Sequence, residues 1–193
     1  MKLVFATHND NKLKEVQQLL PENIEFLSLK DIECFDEIPE TGDTLEENAK
    51  IKADFVTQTY GLDCFSDDTG LLVDALDGAP GVYSARYAGE QKNAGDNMSK
   101  LLSELEGGTD RSAHFKTVVH LNLKGESFTF DGIVEGQITT KQHGKGGFGY
   151  DPIFRPDGYN KTFGELPPET KNAISHRGRA IQKLVGFLKK KAT

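Results

Sequence analysis

A mixed-sheet α/β fold is predicted by three features of the sequence. Stretches of helical periodicity alternate with short apolar runs between Lys2 and Leu105, residues 113–138 alternate apolar with polar, and a further helical stripe lies near the C-terminal end. Lys2 to Ala6 reads as a short buried strand leading into the polar turn Thr7-His8-Asn9. A helix follows with Leu13, Val16 and Leu20 on one face, and Pro21 ends it. Thr44-Leu45-Glu46-Glu47 is a capping box, so a second helix starts there, carries the stripe Leu45, Ala49, Ala53, Val56 and Tyr60, and stops at Gly61. Its apolar side must pack on a sheet. Leu62 to Ser66 is the next strand, followed by the turn-like 67-DDTG-70. Residues 93–106 form a helix through Met98, Leu101, Leu102 and Leu105, closed by Gly107-Gly108. Phe115, Thr117, Val119, Leu121 and Leu123 then share one strand face, and Lys124-Gly125 marks a hairpin. The glycine-rich 144-GKGGFGYDPIF-154 precedes a helical region around Ile174, Arg177, Ile181, Leu184 and Leu188. Helices among strands, followed by an antiparallel ribbon, indicate a mixed sheet rather than a purely parallel doubly wound one.

The length of 193 residues suits one domain, residues 1–193, with two lobes at most. No secretory leader is expected and no apolar run approaches a membrane span, so a cytoplasmic protein without membrane contact is expected. Cys34 and Cys64 lack metal-ligand spacing and read as reduced, buried thiols. A net charge of -7 argues against coating a nucleic acid polymer, since neutralising phosphates supplies most of such affinity. The charge is uneven: residues 141–193 hold 11 Lys or Arg against 4 Asp or Glu, and residues 1–140 hold 12 against 26. A solvated lysine-rich helix explains this as simply as a cleft with acidic and basic walls.

Four short stretches could carry chemistry. In 6-ATHNDNK-12 a strand runs into a turn that opens a helix, where N-terminal N-H groups with Thr7, Asn9 and Lys12 could cradle phosphate; plain capping by Asn9 or Asp10 is the alternative. Gly144, Gly146 and Gly149 match a dinucleotide fingerprint by letter, but they sit outside a βαβ unit, and that reading fails on context. Phe148 and Tyr150 beside Asp151 could sandwich a base, or could equally be core aromatics. In 171-KNAISHRGR-179, Lys171, His176 and Arg177 bring three different donors together, as an exposed basic helix face also would. Asp67 and Asp68 are adjacent, so strand alternation should send them to opposite faces and leave one for catalysis; Glu40 in 39-PETG-42 is a possible second magnesium ligand. An acidic turn is the alternative.

Taken together, 6-ATHNDNKLKE-15, 40-ETGDTLEENAKIKA-53, 66-SDDTGL-71, 78-GAPGVYSARYAG-89, 147-GFGYDPIF-154 and 171-KNAISHRGRA-180 resemble the inosine triphosphate pyrophosphatase family from Leu3 to about Leu188. Six ordered motifs are far more specific than any one. The resemblance implies a homodimer of subunits with an elongated mixed sheet flanked by helices, in two lobes with a nucleotide cleft between them. It implies magnesium-dependent hydrolysis of ITP, dITP and XTP to the monophosphate and pyrophosphate. By similarity, Thr7, His8, Asn9, Asp10, Asn11 and Lys12 hold the triphosphate with Lys52, and Asp68 is the base on the attacking water. Glu40 and Asp68 position the metal, the share of Asp67 being left open, and Thr69 touches the substrate. Phe148, Gly149, Tyr150 and Asp151 form the base pocket with Lys171, His176 and Arg177, whose donors suit a purine bearing oxygen at position 6.

Two departures stand out. His8 occupies a position where the familiar motif has glycine, which would strain a backbone of positive φ, and Thr69 replaces a serine, keeping the hydroxyl and adding a methyl. Two other readings compete: the same chemistry on modified pyrimidine triphosphates, as in the septum-formation-inhibitor-like family, and a non-catalytic nucleotide-binding module. Glu40 and Asp68 oppose the last, because unneutralised carboxylates beside a triphosphate would hinder binding.

Overall fold

The computed structural model describes residues 1–191. Six strands form one mixed sheet in the order β2-β1-β3-β4-β5-β6: β1 (Lys2–Phe5), β2 (Glu25–Ser28), β3 (Cys64–Val73), β4 (Ser112–Leu123), β5 (Glu126–Ile138) and β6 (Phe154–Pro156). The helices are α1 (Asp10–Leu19), α2 (Leu45–Tyr60), α3 (Ala94–Glu104), α4 (Pro168–Ile174) and α5 (His176–Lys191). β1 is parallel to both β2 and β3, while β5 and β6 are antiparallel. The expectation of a mixed sheet flanked by helices holds.

The chain divides into two compact units, and β3, β4 and β5 pass from one into the other. The first comprises Met1–Asp68, Thr117–Gly132 and the segment from Arg177 onward. Leu3–Phe5 of β1 and Cys64–Asp68 of β3 are buried on both faces, so strict alternation decides which helix each residue meets. Leu3, Phe5 and Phe65 point one way, into a core with Val16 of α1 and Ala180, Ile181, Leu184 and Leu188 of α5. Val4, Ala6 and Cys64 point the other way, to Ala53 and Val56 of α2. Phe5 stacks on Phe65 with ring centroids 4.7 Å apart, which pins the register of β1 against β3.

α2 begins as its sequence dictates. Thr44 accepts from the Glu47 backbone, Glu47 reaches back to the Thr44 N-H, and Gly61 closes the helix at φ 67°. The β4–β5 turn places Lys124 at φ 51° and Gly125 at φ 81°, two positive values that match the twist of a tight hairpin.

The second unit, Thr69–Lys116 with Ile133–His176, packs Leu71, Val73, Leu101, Phe115, Val134, Ile153, Phe154 and Phe163 around Tyr150. Ser84 is its polar clasp: its Oγ accepts from the Leu71 N-H at 2.9 Å, and its carbonyl accepts the Tyr150 hydroxyl at 2.7 Å. Both cysteines are free and buried, as expected. Among the described residues, no helix is long and apolar enough to cross a membrane.

Two local expectations are corrected. The 67-DDTG-70 stretch is no turn, because β3 runs on through it to Val73; tertiary partners on both faces outweigh its turn propensity. The C-terminal helical region breaks at Ser175, whose ψ of 160° ends α4 before α5 begins. β2 and β6, at four and three residues, are too short to show a period in sequence.

Candidate active site

The alternation of β3 sorts the two adjacent carboxylates. Cys64, Ser66 and Asp68 face α2, where the Ser66 hydroxyl donates to the Ala49 carbonyl and Asp68 meets Lys52. Phe65 and Asp67 face α1 and α5. The single-strand argument for splitting the pair is borne out, although the strand does not end there.

Asp67 is closed to solvent. Its Oδ1 accepts from Lys12 Nζ at 2.9 Å and its Oδ2 from Arg177 Nε at 2.9 Å. Burial opposes ionisation, but Lys12, Arg177 and Lys52 outweigh it and hold the Asp67 pKa well below the usual carboxylate range. Arg177 completes its fork by donating from Nη1 to Glu15 Oε2 at 2.5 Å. With both oxygens engaged by cations, Asp67 is an anchor.

Asp68 differs in kind. Burial raises its pKa, Lys52 and Lys12 oppose this, and the neighbouring charges of Glu40 and Asp67 add to the rise. A carboxylate disposed to take a proton is the result. Lys52 lies on the buried face of α2 and donates to Glu40 Oε1 at 2.5 Å, with Asp68 Oδ1 at 3.5 Å. Glu40 and Asp68 thus converge on one cation. Among the described residues no cluster of three or more His, Cys, Asp or Glu side chains could hold a metal, and Glu40 and Asp68 are two carboxylates that meet at Lys52. Magnesium commonly takes one or two carboxylates and fills its shell with water and phosphate oxygens, and the pair fits that demand.

The α1 entrance is self-capped. Asn9 Oδ1 accepts from the Asn11 and Lys12 N-H groups, and Thr7 Oγ1 accepts from the Asn9 N-H at 3.2 Å. Capping by Asn9 therefore accounts for two N-H groups of this turn and Thr7 for a third, while Asp10 meets Lys30 at the surface. His8 is not among the residues of positive φ; its Nε2 donates to the Asp36 carbonyl at 2.9 Å, tying the turn to the segment that leads to Glu40. The strain foreseen for His8 is absent.

In the second unit, Asp151 is the hub. Its Oδ2 accepts from Lys171 Nζ at 2.6 Å and from the Phe148 N-H at 2.8 Å, and the Lys171 ammonium lies 4.8 Å from the Phe148 ring centroid. Gly147 makes this possible: at φ 68°, a Cβ there would fall 2.0 Å from Asp151 Oδ2. Phe148 and Gly149 are half-buried, whereas Tyr150 is 5% exposed and its hydroxyl is spent on Ser84. Of the two aromatics, Tyr150 follows the core alternative, while the Phe148 ring stays half-buried beside Lys171. His176 is buried with its ring stacked 4.5 Å from Phe115. Arg177, grouped with the base pocket by sequence, instead joins Glu15 and Asp67 in the first unit. Thr69 is half-buried on β3. Sequence reasoning missed Glu15, although its place three residues after Lys12 on one helix face was a usable signal.

The Ham1 family model matches residues 3–187. This chain belongs to the Ham1 family. Among its relatives, a Flavobacterium johnsoniae protein named dITP/XTP pyrophosphatase is 63% identical over 188 residues, covering 97% of this chain and 98% of its own. The Ham1 protein of Staphylococcus aureus superimposes with a TM-score of 0.90 at 38% identity, covering 99% of this chain and all of its own. A HAM1 protein from Coxiella burnetii gives 0.91 at 40% identity, covering 98% and 99%. The family resemblance drawn from the six motifs is confirmed.

Proposed function

We propose that this Ham1 family protein hydrolyses non-standard purine nucleoside triphosphates, dITP and XTP together with ITP, to the nucleoside monophosphate and pyrophosphate. One observation carries the reading: two neighbouring carboxylates of β3 are given opposite tasks, Asp67 neutralised between Lys12 and Arg177, Asp68 biased by burial toward accepting a proton beside Lys52 and Glu40. The names of relatives up to 63% identical over nearly the whole chain support the substrate class.

The reaction is an attack of water on the α-phosphorus. A P–O bond forms to the water oxygen, the bond from the α-phosphorus to the bridging oxygen of pyrophosphate breaks, and Asp68 takes the water proton. Lys12 and Lys52 face the charge that builds on the departing pyrophosphate. Magnesium, held by Glu40 and Asp68, would supply charge neutralisation and substrate alignment when bound. On the base side, Phe148 offers a ring face, and Lys171, fixed by Asp151, presents N-H donors suited to a 6-oxo group; a 6-amino group would meet donor against donor. Homodimeric assembly in the cytoplasm follows from the family resemblance.

The test is a pyrophosphate-release panel with dITP, XTP, ITP, ATP, GTP, dUTP and a methylated pyrimidine triphosphate, with and without magnesium. Release from the first three, abolished by EDTA, is expected. Orthophosphate as the product refutes the bond assignment, and preference for the pyrimidines refutes the substrate class.

A further inference from the structure

We propose that Thr162 is a positioning residue for base recognition, acting through the glycine-rich loop that carries Phe148; the inference rests on the base-side role given to Phe148 and Lys171 above. The loop has glycine at positions 144, 146, 147 and 149. Glycine gives up more backbone freedom on ordering than any other residue, so a loop this rich in it keeps one shape only where bonds hold it.

A turn at residues 162–165 supplies such bonds. It is closed on itself: the Thr162 N-H donates to Glu165 Oε2 at 2.8 Å, and the Glu165 and Leu166 N-H groups donate to the Thr162 carbonyl at 3.0 and 3.1 Å. From this fixed post, bonds run to both parts of the base site, all within the second unit. Toward the hub, the Gly164 N-H donates to the Asp151 carbonyl at 2.9 Å. Toward the loop, the Thr162 hydroxyl donates to the His143 carbonyl at 2.7 Å, and the Gly164 carbonyl accepts from the Gly146 N-H at 2.9 Å. The approach is close, since at Gly144, with φ 82°, a Cβ would fall 2.2 Å from the Gly164 oxygen. The His143 N-H donates to the Pro152 carbonyl at 2.8 Å, so both polar backbone groups of His143 are held. Five residues on, the Phe148 N-H meets Asp151 Oδ2 and the Phe148 ring lies 4.8 Å from the Lys171 ammonium. Thr162 itself is 1% exposed, which keeps its hydroxyl from touching a nucleotide. Released at His143, the loop presents Phe148 to the Asp151–Lys171 pair in a smaller fraction of molecules, and apparent affinity falls by that fraction.

Thr162→Val removes the hydroxyl and keeps the branched shape. After a thermal melt confirms folding of the full chain, three readouts are taken: KM and kcat for dITP with magnesium, the Kd for deoxyinosine monophosphate, and the Kd for inorganic tripolyphosphate, which has no base. KM and the monophosphate Kd should rise about tenfold, with kcat within about threefold and the tripolyphosphate Kd within about twofold of wild type. Thr162→Ser, which keeps the donor, should stay within about threefold of wild type in every readout. Should Thr162→Val fail to fold, Thr162→Ala beside Thr162→Ser decides the same question. Wild-type KM and monophosphate Kd in Thr162→Val, an equal loss of tripolyphosphate binding, or the same defect in Thr162→Ser would overturn the proposal. A wild type that neither turns over dITP nor binds deoxyinosine monophosphate sinks the base-side reading and this proposal with it. A wild type that does either leaves the variants to decide the role of Thr162 alone.

Discussion

Asp67→Asn isolates the anchoring carboxylate. The substitution keeps the shape of a side chain closed to solvent but removes the charge facing Lys12 and Arg177, each 2.9 Å away, with the charge of Lys52 also felt. Arg177 retains Glu15, while Lys12 loses the partner to which its ammonium is bonded. Breaking a buried ion pair by removing one partner costs about 3–5 kcal/mol, because the other charge remains buried. For a chain of this length each kcal/mol lowers Tm by about 2–4 °C, so a fall of roughly 6–20 °C is expected in thermal melts at pH 7. The acid side of the stability curve should change as well. The folded-state pKa of Asp67 lies below its unfolded value, so this group contributes stability fully above about pH 4, lost as pH falls through the folded pKa. Urea midpoints measured from pH 6 to pH 3 should therefore fall more steeply for the wild type than for Asp67→Asn. A variant melting within about 2 °C of wild type at pH 7 refutes the anchoring role.

Asp68→Asn should leave Tm near that of wild type and cut turnover on dITP by about 10²- to 10⁴-fold, the usual share of a positioned base, while substrate binding persists. Gly147→Ala places a methyl against Asp151 at a φ that L-residues avoid; KM for dITP should rise by about tenfold or more with kcat less affected, because the Asp151–Lys171 pair is displaced. His120 is buried against Asn122 and Thr129, and its pKa is lowered mainly by burial, with Asn122 and Asp54 opposing. The unfolded chain then takes up the proton first, stability falls as pH drops below about 6.5, and urea midpoints between pH 7 and pH 5 should show a shallower slope for His120→Asn.

Locally encoded elements were legible in the sequence. The Thr44–Glu47 capping box, the Gly61 stop and the Lys124-Gly125 hairpin each depend on a few neighbouring residues, and each forms where the letters put it. β3 was not legible beyond Ser66. Asp-Asp-Thr-Gly has every local reason to turn, yet Asp67 and Asp68 meet cations of α1, α5 and α2, Lys52 being 16 residues from Asp68 (68 minus 52) and Arg177 110 from Asp67. The same distance hid the task of Asp67: nothing in a single strand reveals that both of its oxygens will be taken.

Reading motifs as blocks of letters also merges neighbours that geometry separates. His176 and Arg177 stand side by side in sequence and suggest one donor-rich pocket. They open α5, where consecutive side chains diverge by about 100°. His176 accordingly stacks on Phe115 while Arg177 turns to Asp67 and Glu15. On β3 the divergence is about 180°, so Asp67 bonds Lys12 and Arg177 while Asp68 turns toward Lys52, although each still feels the other's cations. A motif of two adjacent polar residues is therefore better read as two sites than one, whenever an independent pattern fixes the element that carries it. Applied to this chain, the rule gives Asp67 the anchoring of Lys12 and Arg177, and leaves Asp68 and Lys171 as the groups whose substitution should alter turnover and base selection.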